Sequence, residues 1–250
     1  MNPQKTVGAL RNMDRYIYTF ALLLTALLNV GVSLAQESST RPNVLFIAVD
    51  DLNHWVGHLD GHPGTLTPNI DRLAATGVTF SRAYAAAPLC NPSRLSLLTG
   101  VMPARSGIYG NFETLREQLP DAVTLPQYFR QNGYSVKGGG KIFHGWSGEE
   151  EASWDEYFQT DAKPKLPEGE AGKKKPKKNA QTGKWAPWGP SSSDDSEMFD
   201  AKVADHIVAE LEVEHDKPFF LAYGTSMPHL PRYAPQGIGG TTEGSGRRSR

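Results

Sequence analysis

The stretch NVLFIAV at residues 43–49, followed at once by Asp50-Asp51, decides the fold. It is a continuous apolar run bounded by Pro42 and Asp50, and it reads as a buried strand, parallel and central in its sheet. Downstream, Thr67-Pro68 opens a helix. Thr67 is its N-cap, Pro68 takes the first helical position, Ile70, Leu73 and Ala74 share one face, and Gly77 lies just past the end. Residues 78–84 read as a second strand, 92–98 as a short helix after Cys90, and 124–131 as a helix closed by Gly133. Residues 134–136 lead a strand into Gly138-Gly139-Gly140. The longest helical pattern covers 196–214, where Phe199, Val203, Ile207 and Leu211 recur at helical spacing, and 218–223 (PFFLAY) is another buried strand. Strands alternating with helices predict an α/β fold with a mainly parallel central sheet flanked by helices.

The 250 residues are 38% hydrophobic, which argues against a wholly disordered chain and allows one sizeable core. Lys plus Arg number 26 and Asp plus Glu 27, so a globally basic nucleic-acid binder is disfavoured and no nucleic-acid partner is expected. A single Cys excludes an intrachain disulfide framework and a structural zinc site built on several cysteines.

The amino terminus has the layout of a secretory signal peptide over residues 1–35. Lys5, Arg11 and Arg15 precede an apolar run over 16–34, and Ser33-Leu34-Ala35 supplies small residues before a cut. The competing reading is an uncleaved anchor, but Asn29, Gly31 and Ser33 weaken the end of that span. Cleavage implies a periplasmic or extracellular protein with no stable membrane span. A lone Cys in an exported chain is a free thiol, an intermolecular bridge or a chemically used residue, so Cys90 calls for an explanation. After a polar linker at 36–41, the packed pattern runs to about Pro235 and is interrupted by a Lys/Pro/Gly-rich loop insertion at 161–190. The run Lys173-Lys174-Lys175-Pro176-Lys177-Lys178 inside it is either a solvated face or a patch for a polyanion such as a sulfated polysaccharide. Residues 236–250 hold almost no apolar side chains and read as a disordered tail.

Two groups of residues carry chemistry. Asp50 and Asp51 stand at a strand's carboxyl end, where ligands of open α/β sheets gather, and adjacent carboxylates there suit a hard cation such as Ca²⁺ or Mg²⁺. A helix cap or a turn is the plainer alternative. The second group is Cys90-Asn91-Pro92-Ser93-Arg94, with Leu98-Thr99-Gly100 beyond it. A helix start at Cys90 favours negative charge, and Arg94 adds a fixed positive charge one turn on. A buried small hydrophobe beside an ion pair fits the same residues. His54, His58 and His62 recur at spacing four, but Gly57, Gly61, Pro63 and Gly64 make that stretch a loop and not a metal site; His54 is left as a substrate-facing candidate. Lys141 follows three glycines without the spacing of a phosphate loop.

The string CNPSRLSLLTG, Cys90 to Gly100, resembles the sulfatase signature Cys-x-Pro-Ser-Arg with Thr-Gly downstream. RPNVLFIAVDDL from Arg41, TPNIDRLAATGVTF from Thr67, LPDAVTLPQYFRQNGY from Leu119, GKIFHG from Gly140 and MPHLP from Met227 accompany it in the order expected of that family. The resemblance runs from about Arg41 to Pro235 and is nearest the iduronate-2-sulfatase-like branch. It implies an alkaline-phosphatase-like domain whose Cys90 is oxidised by a maturation enzyme to formylglycine. It also implies a divalent cation, Ca²⁺ or alternatively Mg²⁺, at Asp50, Asp51 and the modified Cys90.

In that family one oxygen of the hydrated aldehyde attacks sulfur, and the second hydroxyl later expels sulfate. The resemblance assigns Arg94 and Lys141 to the diol and the sulfate, His144 to the base that drives elimination, and His229 to the sulfate or the leaving oxygen. The implied partner is a sulfated carbohydrate or another sulfate ester; phosphonate or phosphate ester hydrolysis and non-catalytic glycan binding are the alternatives. The family's cation site also draws on an Asp-His-Gly or Asp-Asn-Gly motif, and neither follows Pro235. The expectation is therefore an N-terminal portion of the catalytic domain, ended by a tail from a shifted reading frame, with little or no turnover of its own.

Overall fold

The computed structural model describes residues 41–145, 150–162, 188–230 and 232–235. The signal peptide, the linker at 36–41 apart from Arg41, the lysine run and the tail expected from sequence lie outside these residues. Among the described residues no helix is long and apolar enough to cross a membrane. The strands are β1 (Val44–Val49), β2 (Ser135–Gly140), β3 (Glu156–Phe158), β4 (Trp188–Ser191), β5 (Phe219–Thr225) and β6 (Arg232–Pro235). The helices are α1 (Pro68–Thr76), α2 (Cys90–Thr99), α3 (Pro103–Ser106), α4 (Leu115–Gln118), α5 (Leu125–Gln131), α6 (Glu150–Ser153) and α7 (Phe199–Glu212).

Four strands form one sheet in the order β1-β5-β2-β3, all parallel, which is the predicted α/β architecture. Strand β5 is covered on both faces. Phe220 and Ala222 pack with Leu95, Leu98, Val136 and Trp154 on one side, and Leu221 packs with Val203 and Ile207 of α7 on the other. Alternate side chains of one strand thus enter two cores, which is why its sequence shows no polar alternation. Phe220 anchors the larger core and stacks on Phe129 at a centroid separation of 4.4 Å.

Four expectations need correcting. Strand β1 is parallel, but it is an edge among the described residues. Helix α7 packs mainly over β2 and β5, and Leu45 and Ile47 remain 44% and 50% exposed. Residues 78–84 form no strand; with no described strand to pair with, Val78, Phe80 and Tyr84 stand exposed. Residues 188–190, placed in a loop by sequence, instead pair with β6 in a two-stranded parallel sheet. Thr67 does precede α1, but it makes no side-chain cap; its hydroxyl accepts from the Gly57 amide at 2.8 Å and donates to Asp71 at 3.0 Å. Side-chain caps occur instead at Thr124, which forms a capping box with Gln127 at the start of α5, and at Thr114 at the start of α4.

The glycines ending β2 have a mechanical reason. Gly140 has φ +81°, and a Cβ there would stand 2.0 Å from the Gly224 carbonyl oxygen. Only glycine permits this left-handed residue and the close approach of β2 to β5, which places the Lys141 amide 2.9 Å from that same carbonyl. Gly140→Ala is expected to lower unfolding free energy by about 2 kcal/mol or more, read from the denaturant midpoint, because strain and clash add. A midpoint equal to wild type would contradict this account of the turn.

Candidate active site

Parallel strands deliver their carboxyl ends to one edge of a sheet, and here three neighbours do so together. Asp50 follows β1, Lys141 follows β2, and Ser226 to His229 follow β5. Asp50 is 7% exposed. Its Oδ1 lies 2.7 Å from Arg94 Nη2, and its Oδ2 accepts from Lys141 Nζ. Burial pushes the Asp50 carboxyl up, but the hydrogen bonds and charges of Lys141 and Arg94 outweigh this and hold it below its ordinary 3.8. Arg94 is fixed in turn, because Nη1 donates to the Ile142 carbonyl at 3.0 Å and to that of Lys141.

Cys90 is the first residue of α2, not the residue before it, so the helix begins two residues earlier than expected. The thiol is free and half-buried. The Asn91 amide is taken by Asn111 Oδ1 at 3.0 Å, and Pro92 has no amide hydrogen. The helix end therefore offers Cys90 its field more than a set of free donors. The Asn91 side chain donates to the carbonyls of Gly110 and Glu113 at 3.0 and 2.9 Å, tying that loop to the start of α2.

Asp50, Cys90 and His229 each offer a ligand atom, and these atoms lie within 4.8 Å of one another. Asp51 is exposed, has φ 56°, and places Oδ2 3.9 Å from His229 Nε2. His144 Nδ1 is buried with no hydrogen-bond partner among the described residues. Burial, then the charges of Lys141 and Arg94, push the His144 imidazole below its ordinary 6.5. The structure thus brings Asp50, Cys90, Arg94, Lys141 and His229 together with Asp51 at the rim. His58 pairs with Asp71 at 3.4 Å and His62 stands against Trp55, so neither joins the site. A second group of ligand-type side chains, Glu156, His206 and Glu210, already holds the Lys137 ammonium, 3.1 Å from Glu156 and 2.8 Å from Glu210.

The sulfatase family profile matches residues 42–248. The chain belongs to the sulfatase family. It is 36% identical over 213 residues to a sulfatase of Formosa agariphila, covering 80% of this chain and 42% of that protein. It is 32% identical over 228 residues to iduronate 2-sulfatase of Mus musculus, covering 87% and 41%. It shares its fold with the solved structure of Ps i-CgsB in complex with k-i-k-neocarrahexaose, at a TM-score of 0.62 and 24% identity, covering 84% of this chain and 50% of that one. The chain spans about two fifths of the length of the curated relatives it matches. Sulfatases generally use a metal ion and a formylglycine.

The donor set can be tested against such an ion. Ligand atoms within 4.8 Å of one another can share one cation at about 2.3–2.6 Å from each. The set suits a hard cation once the Cys90 sulfur has been replaced by oxygen, since a thiolate selects softer metals. The fit then holds, with Asp50 shared between the ion and its two cationic neighbours.

Asp50→Asn would leave Arg94 and Lys141 without their buried counter-ion, and unfolding free energy is expected to drop by about 3 kcal/mol at neutral pH. The folded-state carboxyl sits below its ordinary 3.8. Its stabilisation is therefore fully present above that value and lost as pH falls through the folded one. The difference between wild type and Asp50→Asn in urea unfolding should shrink below about pH 4; a gap that persists into acid would sink the ion-pair account.

Proposed function

We propose that this site hydrolyses sulfate esters, those of sugars foremost, with Cys90 matured to formylglycine and a divalent cation, Ca²⁺ before Mg²⁺, held at Asp50, Asp51 and Cys90. The observation that carries this reading is the convergence of Cys90 with the buried Asp50 and with His229, within 4.8 Å, beside two fixed cations. The sugar preference rests on the similarity to iduronate 2-sulfatase. Export follows from the reading of residues 1–35 and would put a maturation enzyme upstream of activity.

Converted to formylglycine, Cys90 would supply as its hydrate an oxygen nucleophile for sulfur and a second hydroxyl for release of sulfate. The cation would add Lewis-acid charge at the sulfate oxygens. The chain's own residues do the remaining work. Arg94, anchored on two carbonyls, and Lys141, anchored by Asp50, present preorganised positive charge to an oxyanion. His144, pushed below 6.5 by burial and by those cations, stays unprotonated at neutral pH and is fitted to accept a proton. His229, on the turn after β5, is placed to protonate the leaving oxygen.

Co-expressed with a formylglycine-generating enzyme, the chain is expected to show exchange of the Cys90 thiol for an aldehyde in the mass of its signature peptide. Persistent thiol overturns the maturation. Inorganic sulfate in the presence of Ca²⁺ is expected to bind about tenfold or more weakly to Lys141→Ala. Hydrolysis of an aryl sulfate by the 250 residues should be slow and should vanish in Cys90→Ala. A faster rate on a phosphonate ester would move the assignment to that substrate class.

A further inference from the structure

Asp200 is absorbed by none of the roles above, and its surroundings are unusual. It is the second residue of α7, where a carboxylate meets the positive end of the helix. Among the described residues, neither oxygen pairs with a cationic side chain. Oδ1 accepts from the Ser226 amide at 2.6 Å and Oδ2 from the Met227 amide at 2.8 Å. Burial pushes the Asp200 carboxyl above its ordinary 3.8 despite those two donors. Ser226 and Met227 form the turn that leaves β5, and that turn is closed by the His229 amide donating to the Ser226 carbonyl at 3.1 Å. Thr225 Oγ1 adds a bond to the Met227 carbonyl at 2.9 Å. The turn's far end carries the His229 imidazole to Asp50 and Cys90.

We infer that Asp200 is a positioning residue for catalysis, whose carboxylate clamps the Ser226–Met227 amides and thereby holds His229 against the nucleophile at Cys90. The inference rests on the sulfatase reading of that site. Such a clamp matters because two successive backbone donors pointing at one carboxylate leave the turn a single orientation, and catalytic groups tolerate only sub-ångström displacement. The sequence pattern for this helix rests on Phe199, Val203, Ile207 and Leu211 and does not single out Asp200. Its partner Tyr223 separates the clamp from simple packing. The Tyr223 hydroxyl donates to the Asp200 backbone carbonyl at 2.9 Å and so joins α7 to β5 without touching the turn.

The test compares Asp200→Asn with Tyr223→Phe in the full 250-residue chain. Asn keeps the shape and one acceptor oxygen but turns an amide donor toward a backbone donor. Amide hydrogen exchange at Ser226 and Met227 is expected to quicken about tenfold or more in Asp200→Asn, with exchange at Leu221 in mid-strand unchanged. Tyr223→Phe should leave the turn amides as they are. In formylglycine-bearing protein, kcat on an aryl sulfate should fall on the order of 10²-fold in Asp200→Asn with KM held.

Where Asp200→Asn yields no folded chain, Asp200→Glu serves the same comparison. It retains charge and both acceptors, and should restore slow exchange at the turn amides more than full kcat. Unchanged exchange at Ser226 and Met227, or equal effects of Asp200→Asn and Tyr223→Phe, would overturn the clamp. If the wild type turns over no sulfate ester, the exchange comparison still decides the clamp, and the failure then lies with the proposed function.

Discussion

A single carboxylate, buried between a guanidinium and an ammonium at the end of the first strand, organises the functional edge of this protein. Desolvation makes Asp50 costly to ionise, and Arg94 and Lys141 more than offset that cost. Each of the three comes from a different element, so the cluster of one carboxylate and two cations can form only when β1, β2 and α2 are in place. Arg94 then reaches the carbonyls beyond β2, locking helix to sheet. Burial, and then the same charges that hold Asp50 ionised, push the His144 imidazole below its ordinary 6.5. Electrostatics at one edge therefore sets both the packing of the helix that carries Cys90 and the proton state of its neighbours.

The backbone makes room for this arrangement. Gly140 and Gly224 face each other where β2 and β5 end, and neither position has space for a Cβ. That close approach brings the residues after two adjacent strands, Lys141 and the Ser226–His229 turn, to the same place from opposite sides of a shared boundary. Helix α7 covers the opposite face of these strands, and its first turn supplies Asp200 to the turn beyond β5. Core packing and site geometry are thus linked through α7. Val203 and Ile207 fix where the helix lies, and Asp200 converts that position into the orientation of a loop.

The family resemblance was carried by short strings, and the structure adds what strings omit. Asn91 stands inside the signature as an unremarkable polar residue, yet its side chain and amide together bind the loop at residues 110–113 to the start of α2. Asp51 shares the strand-end motif with Asp50 but is exposed and left-handed, so the two carboxylates have different surroundings, and Asp51 Oδ2 lies 3.9 Å from His229 Nε2. Residues 78–84 carry the apolar pattern of a strand and still stand exposed, because strand formation needs a neighbouring backbone as well as a suitable sequence.

Local pattern was enough to read the α/β class, a helix opening at Pro68, helices near 92–98, 124–131 and 196–214 to within a few residues of their ends, and the burial of β5, while the family resemblance named Asp50, Cys90, Arg94, Lys141, His144 and His229 as candidates. Apolar runs, caps and signature residues are encoded in neighbouring positions, and each reports one local preference. The edge position of β1, the pairing of Asp50 with both cations, the entry of His229 into the Asp50–Cys90 group and the grip of Asp200 on the turn were decided by tertiary structure. They join positions from 26 to more than 170 residues apart. No periodicity relates such positions, because only the register of parallel strands and the docking of helices across them brings the groups within bonding distance.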